Sequence, residues 1–161
     1  MYLNILVAVD GSPASEGALE HAAELAAAGN AMLTLITVAP PVPDLVSLAG
    51  ASPARLKDDI DRWAEQILED AARSVRGDVI VHRMQRGGHP GPEIVKELER
   101  GAYDLVVLGS RGRGRAQEGL LGSVNGYVHF HSKVPLLSVP GQPVAVPAQA
   151  DGAATPAAAT A

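Results

Sequence analysis

The sequence predicts an α/β protein, a three-layer open sheet of five parallel strands with helices on both faces, and three observations carry that prediction. Short apolar runs rich in Val, Ile and Leu alternate along the chain with longer stretches of helical periodicity, the signature of strand–helix–strand units. The composition is 47% hydrophobic but only 3% aromatic, so the core has to be aliphatic, which suits buried strands layered by small-faced helices. The glycines concentrate after the most apolar run, where open parallel sheets bind ligands.

Leu3 to Val9 reads as a buried first strand, ended by Asp10-Gly11-Ser12-Pro13. Ser12 is a helix N-cap with Pro13 in the first helical position, and Ala14, Ala18, Ala22 and Leu25 recur at helical spacing until Gly29-Asn30 stops the helix. Met32 to Val38 is the second strand. Pro40, Pro41 and Pro43 then force an irregular connection running to about Pro53. Ile60, Trp63, Ala64, Ile67, Leu68, Ala71 and Val75 mark an amphipathic helix with a charged opposite side, and Trp63 reads as a core or core-edge residue. Asp78 to Met84 is a weaker third strand, followed by a Gly87-Gly88-His89-Pro90 turn and a helix from Pro92 to Arg100. Asp104 to Leu108 is the cleanest strand. A helix from about Ser123 to Ser132 and a strand from Pro135 to Val139 complete the pattern, and crossover helices make the sheet parallel.

With 161 residues the chain accommodates one ordinary core, assigned to residues 1–140. Residues 141–161 are Ala/Pro-rich, nearly uncharged and aperiodic, and are expected to form a disordered tail. No cysteine is present, which rules out a disulfide framework, a thiolate nucleophile and thiolate-ligated metal. The amino end reads as a core strand rather than a signal peptide, and no apolar run reaches the roughly 18 residues that cross a bilayer, so a cytoplasmic protein is expected. A net charge of −5 argues against nucleic acid and anionic membrane as partners.

The chemistry-bearing feature is the spacing after the fourth strand: Gly109, two residues, Gly112, nine residues, then Gly122-Ser123 opening a helix. Glycines allow close backbone approach to phosphate oxygens, and the free N–H groups of a helix start favour an anion. Arg111, Arg113 and Arg115 add charge-assisted donors. The arginines of this stretch lack interleaved aromatics, which weighs against an RNA-binding reading. Ser110 lacks a Gly-x-Ser-x-Gly elbow because position 108 is Leu, and the histidines do not form a metal cluster.

This spacing matches the nucleotide motif of ATP-binding universal stress proteins, and the chain resembles that family over about residues 2 to 140. Ile5-Leu6-Val7-Ala8-Val9-Asp10-Gly11-Ser12 looks like its amino end. Tyr103 to Ser110 and His131-Ser132-Lys133-Val134-Pro135-Leu136-Leu137 look like its carboxyl half. The resemblance implies a Rossmann-like sheet of order 3-2-1-4-5 and a homodimer paired through the last strand, 135–139. It implies ATP as ligand, with Asp10 and the Val38 backbone at the adenosine end and Ala8, Val9 and Leu108 as apolar walls. Gly109, Arg111, Gly112, Gly122, Ser123, Val124 and Asn125 would surround the phosphates. A divalent cation such as Mg2+, bound with the nucleotide, is implied near Asp10. Asn125 departs from the family's small residue at its position, and the loop carries additional glycine and arginines. The expected function is a regulatory nucleotide-binding module of the stress response, with protein partners the sequence does not name. The alternatives are a slow ATPase, against which stand the missing Gly-x4-Gly-Lys-Ser/Thr loop and catalytic base, and a nucleotide-independent interaction module.

Overall fold

A computed structural model describes residues 1–43, 50, 52–110 and 123–141 of the chain. Strand β1 (Asn4–Ala8) takes the centre of the sheet, where both faces are covered, because Ile5, Leu6 and Val7 are all apolar. β2 (Met32–Ala39) lies beside it, then β3 (Val81–Gly87). On the other side lie β4 (Leu105–Gly109) and β5 (Leu136–Val139). All neighbours are parallel and the order is β3-β2-β1-β4-β5, as the resemblance implied.

Strand side chains alternate between faces, and this splits the core in two. Ile5, Val7, Leu33, Leu35, Leu105 and Val107 face α1 (Pro13–Gly29) and α2 (Pro53–Ser74). Leu6, Ile36, Val106 and Leu108 face α3 (Pro90–Arg100) and α4 (Ser123–His131). Each fully buried aliphatic side chain contributes about 1.5–3 kcal/mol of transfer free energy. Helix starts follow the sequence reading: Ser12 accepts from the Ser15 N–H, Pro13 opens α1, and Asn30 closes it in the left-handed conformation at φ 52°.

Several boundaries and one face differ from expectation. β3 begins at Val81 rather than Asp78 and runs to Gly87, because pairing with Leu33–Ala39 of β2 sets its extent more than its own apolar content does. Ile80, inside the expected strand, is 66% exposed. α3 starts two residues earlier, at Pro90, and β4 reaches Gly109. In α1 the buried stripe is Ala14, Ala18, Leu19, Ala22 and Ala26, while Leu25 is exposed. Val75 lies just past α2 with extended backbone. Trp63 is half-buried at the core edge.

Candidate functional site

After β1 the chain turns to α1 on one face, and after β4 it continues towards α4 on the other. The β1/β4 boundary is therefore the switch point of the sheet, and it opens at the carboxyl ends of the strands. β1 pairs with β2 only as far as Ala8 opposite Ile36, whereas β2 continues to Ala39 alongside β3. The β2 end, with Val38 opposite Arg86, thus projects past the last β1 pair.

The turn at this point is built from small hydrogen-bonding residues. The Val9 N–H donates to the Ile36 carbonyl at 2.9 Å, and the buried Thr37 hydroxyl donates to the Val9 carbonyl at 2.7 Å. Asp10 Oδ1 accepts from the Ser12 N–H at 3.0 Å and the Ser12 hydroxyl at 2.6 Å, while the Asp10 N–H reaches Ser15 Oγ at 3.3 Å. Gly11 sits at φ 72°, a left-handed conformation that glycine adopts without strain. Asp10 is thereby an Asx-type turn residue that orients the start of α1.

Across the switch point, Gly109 ends β4 under the first turn of α1. A Cβ there would come within 2.6 Å of the Ala14 carbonyl carbon and 2.9 Å of the Ser15 nitrogen. The need for glycine at 109 comes from this helix packing. The Asn125 side-chain amide donates to the Gly109 carbonyl, tying the first turn of α4 to the end of β4. Asn125 is 2% exposed, and its Oδ1 has no hydrogen-bond partner among the described residues. The Ser110 N–H closes the edge by donating to the Val139 carbonyl at 2.6 Å.

The structure thus brings Ala8, Val9, Asp10, Val38, Leu108, Gly109, Ser123, Val124 and Asn125 to one end of the sheet. Ala8, Val38 and Val124 pack partly buried on the α3/α4 side, and Leu108 lies in that core, 2% exposed. Arg111, Gly112 and Gly122, like Arg113 and Arg115, lie outside the described residues. Two helix starts, of α1 and α4, flank the opening; that of α1 is capped by Ser12 and opened by Pro13, and the positive ends of both helix dipoles favour an anion. Sequence reasoning missed Thr37 and Ser15; a threonine inside the otherwise apolar β2 run is the signal that could have marked the first of them. His131 stacks on Tyr127 with ring centres 4.0 Å apart. No group of three His, Asp or Glu side chains suited to a metal occurs among the described residues, and none of their helices is long and apolar enough to cross a membrane.

Comparison with known proteins agrees with this architecture. The universal stress protein family profile matches residues 1–140. The universal stress protein YxiE of Bacillus subtilis is 31% identical over 147 residues, covering 86% of this chain and 99% of that one. Against mycobacterial relatives of similar identity the chain spans about half their length, 49% for Rv1996 of Mycobacterium tuberculosis. Among solved structures, hypothetical protein MJ0577 superposes with a TM-score of 0.75 at 28% identity, covering 87% of this chain and 96% of its own. A universal stress protein in complex with cAMP superposes at 0.67 with 28% identity, covering 87% and 98%.

Proposed function

The chain belongs to the universal stress protein family, and from that membership we propose that it is an adenine-nucleotide-binding regulatory module, with ATP as ligand at the switch point between β1 and β4. The observation that carries the reading is the convergence of Asp10, Gly109 and the start of α4 at one sheet end, continued in sequence by Gly109-x2-Gly112-x9-Gly122-Ser123. The donor and acceptor set fits such a ligand. The α4 N–H groups at Ser123 and Val124 are donors for phosphate oxygens, and Arg111 adds charge. Asn125 Oδ1, buried and without a partner among the described residues, is an acceptor for a ligand hydroxyl or a bridging water. The projecting end of β2 at Val38 offers backbone groups to a base, and the related protein solved with cAMP supports adenine as that base.

Binding suits the site better than turnover. The Asp10 carboxylate already accepts two hydrogen bonds from Ser12, which hold its orientation and commit it to the turn at the start of α1. If Mg2+ accompanies the nucleotide, Asp10 is the carboxylate that would meet it. The unit that carries this function is residues 1–140, and it works as a homodimer through β5, with other proteins reading the nucleotide state.

The test is to denature the purified protein, identify any released nucleotide by mass spectrometry, and titrate ATP, AMP and cAMP with magnesium by calorimetry. The expected result is ATP binding in the micromolar range, weakened more than about tenfold by Gly122→Val, whose side chain crowds the phosphate approach. Absence of binding by the parent protein for all three nucleotides would leave the nucleotide-independent interaction module as the reading.

A further inference from the structure

Helix α1 carries Glu16, Glu20 and Glu24, all exposed and each one turn from the next, so the three carboxylates form a row along one edge of the helix. None of them takes part in an ion pair or side-chain hydrogen bond among the described residues. Several acids of the other long helices are paired instead: Lys57 meets Asp61, Arg62 meets Asp59, Arg73 meets Glu69 and Asp70, and Lys96 meets Glu93. The α1 row is also unfavourable for the helix itself, since like charges four apart repel and Glu24 stands in the half nearer the negative end of the dipole.

The same edge borders a groove. α1 seats on β1, β4 and β5 and α2 on β2 and β3, leaving between them a cleft of about 900 Å³ that starts beside Val9 and Gly11 and runs down to Val75 and Arg76. Its floor is apolar, with Leu19 and Ala23 from α1 facing Ile67 and Ala71 from α2, and Trp63 stands in its wall. The α2 rim is nearly neutral, because Asp70 is held by Arg73 at 2.8 Å and by Gln66 at 3.1 Å.

We propose that this groove is the docking site for a basic amphipathic helix of another protein, whose apolar stripe enters the floor and whose Lys or Arg side chains, spaced by four, meet Glu16, Glu20 and Glu24. Two parallel ridges with an apolar floor are the geometry that accepts a third helix, and the charge row selects its sign and register. Residues 142–161 contain no Lys or Arg and carry Asp151, so their charge does not complement the acidic rim.

Trp63 is the only tryptophan of the chain, so its fluorescence reports on the groove. The probe is a helical peptide of about 14 residues made only of Leu and Lys, with Leu at helical spacing, titrated into the full-length protein; the control replaces each Lys with Glu. The expected result is a Trp63 signal saturating in the micromolar range for the Lys peptide alone, weakened by added salt. The triple variant E16Q/E20Q/E24Q is expected to weaken binding by about tenfold or more and to raise the melting temperature, as relief of repulsion in α1 requires. The equally charged control variant D58N/E65Q/E99Q, with its changes away from the groove, should bind within about twofold of the parent. Equal weakening by the two triples would overturn the proposal in favour of diffuse charge attraction, and so would Glu-peptide binding as tight as the Lys peptide's. Failure of the full-length protein to bind the Lys peptide would overturn it too.

Discussion

Glu97 shows how one residue organises its surroundings. It is a carboxylate in the α3 face that packs on the sheet, nearly buried, and it is satisfied by Arg86 of β3 at 2.8 Å and by the Tyr103 hydroxyl at 3.2 Å. The Tyr103 ring in turn lies where a side chain at 101 would be, since a Cβ on Gly101 would come within 2.2 Å of it. Burial pushes the Tyr103 phenol above its ordinary value, the Glu97 carboxylate adds to this, and contact with Thr34 opposes it. Because the fold favours the neutral phenol, its contribution to stability is fully present below about pH 10 and is lost as pH rises through the higher folded value. Subtracting the alkaline absorbance titration of Tyr103→Phe from that of the parent should leave one ionisation above the usual tyrosine range; an ionisation at or below it would mean that the hydroxyl is solvated.

At the scale of the element, the seat of α1 on β4 depends on the missing side chain at Gly109. Gly109→Ala sets a methyl against the backbone of Ala14 and Ser15, atoms that move only if the helix start moves, so the fold should lose about 1–3 kcal/mol. A lower urea midpoint with unchanged slope checks this, and nucleotide affinity should fall as well, because the same shift disturbs the turn at Asp10. The strands and helices around this seat were legible in the sequence wherever apolar period and cap chemistry agreed, as at β1, Ser12-Pro13 and Gly29-Asn30. β3 was legible only in outline, because an edge strand takes its limits from its partner and its polar residues hide the pattern. The site could be read as a set of residues, but not the double use of Gly109 and Asn125, which arises from α1 and α4 meeting the end of β4 from opposite faces. A fold-level contact of that kind leaves no local spacing behind.

Across the whole molecule the two sheet edges differ in character. β3 carries His82, Arg83, Gln85 and Arg86, polar groups that discourage edge pairing, whereas β5 presents Leu136 and Leu137, and Phe130 on the adjacent α4 is 82% exposed. A homodimer through β5 therefore predicts that Leu137→Lys converts the species seen by light scattering from twice 16.6 kDa to 16.6 kDa. A parent protein already eluting at the single-chain mass would refute the pairing.

The central position of β1 also governs how the chain emerges during synthesis. Its first partner, β2, follows within thirty residues or so, but its second, β4, begins only at Leu105, and the Asp104 carboxylate that caps the Leu3 and Asn4 N–H groups at 2.8 and 3.1 Å arrives with it. At about 5–20 residues per second, the nascent chain carries the Ile5-Leu6-Val7 edge unpaired for several seconds after it leaves the ribosome. That interval is when a chaperone, or another nascent copy, has access to the apolar edge of the strand that ends up at the centre of the sheet.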